Sequence, residues 1–276
     1  MNSGHLRKMV TSLESPVQYS LPLDDELIQI NECIGEKISL HYTGEIHCIG
    51  CGRKTAKSYN QGYCYPCFQK LACCDMCIMK PETCHYDKGT CREPDWALQN
   101  CMQGHIVYLA NSSGVKVGIT RETQIPARWI DQGASQALPV FRVSSRLLSG
   151  KLEMVIKQQV SDRTDWRKML RGKPEIVDLV TVRDEITQVA YSEIDYIINS
   201  HEKSDVSLLT AEIPVEINFP VKNYPEKVKS LNFDKTTEIE GLLMGIKGQY
   251  LILDTGVLNI RKFAGYRIRF SCENKY

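Results

Sequence analysis

The chain has 276 residues, 42% of them apolar, and its 34 Lys and Arg against 33 Asp and Glu leave a formal charge of +1. This composition supplies a buried core and excludes disordered, fibrous and uniformly polycationic classes. The charge is uneven: residues 105–173 carry 12 basic and 5 acidic side chains (+7), whereas 174–276 carry 12 and 16 (−4), so a polyanionic partner is expected to meet the middle.

Residues 1–47 begin without the apolar stretch of a secretory signal. From 17 to 47, stretches such as Leu27-Ile-Gln-Ile and Lys37-Ile-Ser-Leu alternate apolar with polar residues between breaks at Gly35 and Gly44, which predicts a small antiparallel β unit. Residues 48–104 lack apolar periodicity and hold ten of the twelve cysteines; Cys33 and Cys272 read as ordinary core residues. No apolar run approaches the ~18 residues of a membrane span, so a cytoplasmic chain with no membrane partner is expected. In a reducing compartment, a dense cysteine cluster reads as metal binding rather than as a disulfide framework.

Cys48-Ile-Gly-Cys51 and Cys64-Tyr-Pro-Cys67 are two knuckles at zinc-ribbon spacing, and together they complete a tetrahedral four-thiolate shell. A second structural zinc is expected on Cys74, Cys77, Cys84 and Cys91. His85 is an alternative to Cys84, Cys101 to Cys91, and Cys73 can shift the knuckle. Both shells are closed, so zinc here stabilises the fold and performs no hydrolysis.

Residues 105–183 read as a separate core. His105-Ile-Val-Tyr-Leu-Ala and Val115-Lys-Val-Gly-Ile-Thr are strands joined by a polar turn, Pro126-Ala-Arg-Trp-Ile opens a short helix, and Leu138-Pro-Val-Phe-Arg-Val is a third strand. Leu152, Val155, Ile156 and Val160 recur at helical spacing and place Glu153 beside Lys157. Residues 184–212 predict a helix with Ile186, Ile194 and Ile197 on one side, followed by an acidic linker over 201–212. Residues 213–276 predict a β-meander with turns at Lys247-Gly248, Asp254-Thr-Gly256 and Ala264-Gly265. The fold class expected is α+β.

Four positions resemble the GIY-YIG endonuclease superfamily: Ile106-Val-Tyr108 the first motif, Lys116-Val-Gly118-Ile-Thr120 the second, then Arg128 on the short helix and Glu153 early in the next long one. Lys116 stands where many members have tyrosine, and Gln132 where some have histidine. The whole chain, with Pro81-Glu-Thr-Cys-His and Gly89-Thr-Cys-Arg ahead of the core, also resembles an uncharacterised bacterial family of zinc-containing proteins. The first resemblance implies a three-stranded sheet flanked by helices and a divalent-metal-dependent phosphodiester hydrolase.

In that reading Glu153 holds Mg2+ or Mn2+, Arg128 offers a planar fork to phosphate, Tyr108 orients or deprotonates water, and Lys116 lowers the tyrosine pKa or contacts phosphate. The basic run Arg142, Arg146, Lys151, Arg163, Arg167, Lys168, Arg171 and Lys173, interleaved with Trp166, suits backbone tracking and base stacking on DNA or RNA. Two rival readings are a catalytically silent nucleic-acid-binding module and a protein-interaction platform around structural zinc.

Overall fold

A computed structural model describes residues 2–202 and 204–273. It is a mixed α+β protein built on antiparallel sheets, with eight α-helices among the described residues. In chain order the first strands are β1 (Asn2–His5), β2 (Val10–Ser12), β3 (Gln18–Leu23), β4 (Glu26–Gln29) and β5 (Lys37–Ile46). The cysteine-rich stretch holds three short helices, α1 (Tyr65–Lys70), α2 (Met76–Met79) and α3 (Pro94–Asn100). Then come β6 (His105–Asn111), β7 (Val115–Arg121), α4 (Ala127–Asp131), β8 (Gln136–Val143), α5 (Arg146–Ile156), α6 (Trp166–Leu170), α7 (Leu179–Val189) and α8 (Tyr191–Asn199). The chain ends through β9 (Val206–Leu208), β10 (Val215–Glu216), β11 (Glu238–Lys247), β12 (Tyr250–Leu253), β13 (Gly256–Asn259) and β14 (Tyr266–Cys272).

The two terminal segments, which periodicity presents as separate units, share one six-stranded sheet in the order β1-β14-β5-β11-β12-β13. The meander expected near the C-terminus therefore stops after three strands. A 3-10 turn at Ile260–Phe263 and a positive φ of 86° at Gly265 redirect the chain, and β14 inserts between β1 and β5. Only glycine fits at 265, because a Cβ there would lie 2.3 Å from the His47 carbonyl oxygen.

A second sheet runs β10-β8-β6-β7, with β9 also on β8. Every residue of β6 is buried, as its near-continuous apolar sequence requires of a strand covered on both faces. Alternation along β6 divides two cores. Val107 and Leu109 pack with Leu148, Leu152 and Ile156 of α5 and with α7 and α8, whereas Ile106, Tyr108 and Ala110 face Trp129, Ile130 and the six-stranded sheet. The single helix expected over 184–200 is two, broken at Ala190, and part of the acidic stretch expected as a linker is strand β9, paired with β8 through Phe141–Val143. No helix among the described residues is long and apolar enough to cross a membrane.

Candidate functional site

Residues Cys48, Cys51, Cys64 and Cys67 bring their Sγ atoms within 4.8 Å of one another just beyond the end of β5. Each knuckle aims amides at sulfur: Gly50 N and Cys64 N donate to Cys48 Sγ at 3.4 and 3.2 Å, and Cys51 and Cys64 Sγ are 3.8 Å apart. Burial opposes ionisation of Cys48, but the amides of Cys64, Cys51 and Gly50 outweigh it and bring the thiol down to about 6. Burial and then bonding to Cys51, Cys64 and Cys48 push Cys67 the other way. Four thiolates this close repel one another, and a soft-tolerant dication such as zinc removes that repulsion. This cluster has the donor set and closure of a structural zinc site.

The other cysteines distribute differently from the expected second shell. Cys77, Cys84 and Cys91 line one small void together with Cys101, whereas Cys74 pairs with Cys73 at 4.0 Å between sulfurs and lies against a neighbouring groove. Asp75, Cys77 and His85 also bring ligand atoms within 4.8 Å.

Three of the four residues singled out in the basic segment line a single cleft of about 490 Å³: Lys116 from β7, Arg128 from α4 and Glu153 from α5. Lys116 is only 5% exposed, its Nζ donates to Thr164 Oγ1 at 2.6 Å, and burial, helped by Arg128, holds its pKa down to about 8 against the pull of Glu153 and Asp162. Glu153 is pushed up to about 7, first by burial and then by Asp162, with Arg146 and Lys157 opposing and Glu82 adding to the rise. Arg146, the first residue of α5, donates through Nη2 to the Ile78 carbonyl at 2.7 Å, while its amide bonds to the Cys101 carbonyl at 2.8 Å.

Tyr108 is placed beneath this cleft and not in it. It is fully buried opposite Gly118, where a Cβ would come within 2.8 Å of its hydroxyl, and that hydroxyl has no hydrogen-bond partner among the described residues. Burial raises its pKa, although Arg128 and Gln132 favour the ionised form. An exposed, readily ionised tyrosine is therefore absent from that position. Gly118 is required by close approach across the β6–β7 pair.

Two further carboxylates, Asp162 and Glu82, line the cleft with Glu153, although neither stands at a motif position. Asp162 arrives because the segment after α5 runs beside the edge of β7, with Val117 N bonded to Ser161 O at 2.8 Å. Glu82 arrives on the cysteine-rich segment, which contributes residues 78–82 as one wall. Neither contact leaves a local signal. Of the basic run, Trp166 is unavailable for base stacking: its ring is stacked on Tyr250 at 5.8 Å and carries the Arg167 guanidinium at 4.3 Å.

A family model described as "Protein of unknown function (DUF2797)" matches residues 35–268. The chain belongs to that family. The DUF2797 match begins at the turn before β5 and ends within β14, so it spans the cysteine cluster and the cleft and leaves out β1–β4. It agrees with the whole-chain resemblance to an uncharacterised family and is silent on the endonuclease superfamily. Neither curated proteins nor solved structures give a match.

Proposed function

We propose that this DUF2797 protein binds nucleic acid and hydrolyses its phosphodiester bonds in the cleft, assisted by Mg2+ or Mn2+, with zinc on Cys48, Cys51, Cys64 and Cys67 serving only the fold. The observation that carries the reading is the charge of the cleft. Six cationic side chains (Lys80, Lys116, Arg128, Arg146, Lys157 and Arg163) face three carboxylates (Glu82, Glu153 and Asp162). Phosphate is the ligand class that uses both signs, directly through cations and indirectly through a carboxylate-held metal. The likeness to the GIY-YIG core supports it further: β6 lies between β7 and β8, Tyr108 stands opposite Gly118, Arg128 follows β7 on α4 and Glu153 follows β8 on α5.

The oxygen donors suit a hard dication that keeps several waters, and Glu153 and Asp162 would hold it. Such an ion supplies charge neutralisation at the phosphate. Arg128 presents a fork to the phosphate oxygens, and Arg146, fixed by Ile78, adds a second cation whose position is set before substrate arrives. Lys116, with a pKa of about 8, is in part a free amine at neutral pH and accepts a proton from water in the role first expected of Tyr108. Tyr108 acts as a positioning residue under Gly118 and Arg128. Incoming strands are gathered by the +7 segment through its phosphate contacts, without Trp166.

One observation favours a second reading, the catalytically silent module: the buried Tyr108 hydroxyl reaches no cleft surface. Single- and double-stranded DNA and RNA incubated with Mg2+ or Mn2+ separate the two. The hydrolase reading expects cleavage by the wild type, loss of cleavage in Glu153→Gln with binding retained, and a rate about 10²–10³-fold lower in Arg128→Ala. If wild type and Glu153→Gln are indistinguishable across that survey, the silent module replaces it. An affinity that does not fall with salt removes both.

A further inference from the structure

The cysteines beyond the first cluster surround a void of about 10 Å³, the space of a single water or ion, formed by Cys77 at α2, Cys84 and Cys91 in the following loop and Cys101 at the end of α3. All four are free thiols. We propose that Cys77, Cys84, Cys91 and Cys101 form a second closed four-thiolate site for zinc, and that this ion clasps the wall of the cleft formed by residues 78–82. The assignment does not rest on what the cleft does.

Chemistry selects these four from the six metal-capable side chains that line the void. Asp75 Oδ2 is occupied by Arg92 Nε at 2.7 Å, so ligation by that carboxylate costs an ion pair. His85 Nδ1 is bonded to Thr90 Oγ1 at 2.8 Å and its Nε2 is 3.6 Å from Asp75, so ligation by His85 would give up contacts that it already makes. Zinc prefers thiolate to the remaining donors. Cys74 is turned away toward Cys73.

The consequence for the cleft follows from chain order. Cys77 and Cys84 bracket residues 78–83, so one ion ties both ends of the loop that carries Glu82. Cys101 lies on the same clasp, since its carbonyl takes the Arg146 amide while the Arg146 side chain holds Ile78. Closing this loop through a metal removes the freedom of a segment that has almost no apolar core of its own.

Elemental analysis of the purified full chain tests the proposal. Two zinc ions per chain are expected in the wild type, Cys74→Ser and His85→Ala, and one in Cys101→Ser. Should Cys101→Ser fail to fold, cadmium-113 NMR of the cadmium-loaded wild type decides instead. Two resonances in the four-sulfur range support the site. A single zinc in folded wild type, a full complement in folded Cys101→Ser, a lost ion in Cys74→Ser or His85→Ala, or a second cadmium resonance in the mixed sulfur–nitrogen range overturns it.

Discussion

Gly150 sits inside α5 at the point where the cysteine-rich segment rests on the helix, and replacing it by alanine sets two effects of opposite sign against each other. Alanine is favoured over glycine in a helix interior by about 1 kcal/mol. A Cβ at 150, however, would lie 2.6 Å from both Glu82 N and Pro81 Cβ and 2.8 Å from Pro81 C. Two of these are backbone atoms, which cannot swing aside as the end of a long side chain can, and overpacking of this kind costs about 1–3 kcal/mol. The clash is expected to win, leaving a net loss of about 1 kcal/mol that is concentrated in the 78–82 wall and not spread through α5.

Urea unfolding gives the net sign, and hydrogen exchange resolved by segment shows where it falls. Protection should drop at 78–83 and persist in β6 and α5, whose contacts lie on the opposite, apolar face of the helix. Gly172→Ala is the control, because nothing lies within 4 Å of a Cβ there. If Gly150→Ala stabilises the chain by the full helix-propensity gain, the segment does not press on α5 and the cleft has no wall on that side.

Three further outcomes follow from the packing. Gly118→Ala should cost about 1–3 kcal/mol by pressing on Tyr108, while Tyr108→Phe, which removes a buried hydroxyl without a partner, should be neutral or stabilising by about 1 kcal/mol and should soften the Gly118→Ala loss; a destabilising Tyr108→Phe in urea unfolding refutes that placement. His105 is buried with Nδ1–H donating to the Gln103 carbonyl and Nε2 unpartnered, and burial lowers its pKa to about 4 against 6.5 in the unfolded chain. The unfolded chain thus takes up the proton first, so stability is full above pH 6.5 and falls by about 3 kcal/mol toward pH 4; in stability–pH curves for wild type and His105→Asn, an equal slope in this window contradicts it. Trp166→Ala should lower stability by about 1–3 kcal/mol, since the ring is only partly buried, through its lost stack on Tyr250 while leaving affinity for single-stranded nucleic acid within about twofold, a pattern that a base-stacking Trp166 would reverse in equilibrium binding.

What local pattern can reveal divides cleanly from what it cannot. The ligands of the first cysteine cluster lie within 20 residues, and the spacing of two knuckles is itself the geometric instruction. The buried strand β6 is legible because a strand covered on both faces must be apolar throughout. Lys116, Arg128 and Glu153 were legible through the order and spacing of motifs. Asp162 and Glu82 were not, since each depends on a contact that has no period: the Ser161–Val117 bond and Pro81 against Gly150. Pairing of β5 with β11 and β14 joins strands some 200 residues apart, and alternation in a strand specifies a buried face without naming the neighbour. Tyr108 illustrates the opposite limit, where the motif position was readable but its burial was set by Trp129 and Gly118 from other elements.

The two walls of the cleft are held by different physics, and this sets the order in which they fail. Lys116 and Glu153 stand on β7 and α5, whose apolar faces are buried in the core shared with α7 and α8. Residues 78–82 stand on a segment whose short helices α1 and α2 bury no side chain, so its order is expected to rest on the proposed zinc sites together with Pro81 on Gly150 and the Arg146–Ile78 bond. Removing metal with a chelator therefore takes away the main support of one wall and little from the other. The expected result is an intermediate in which exchange protection is lost over 48–101 while β5, β6, β11 and β14 stay protected, with zinc readdition restoring the original pattern. Circular dichroism should retain the strand signal through that loss. If chelation instead unfolds the sheets together with 48–101 in one transition, metal is part of a single cooperative core, and the cleft has no separately removable wall.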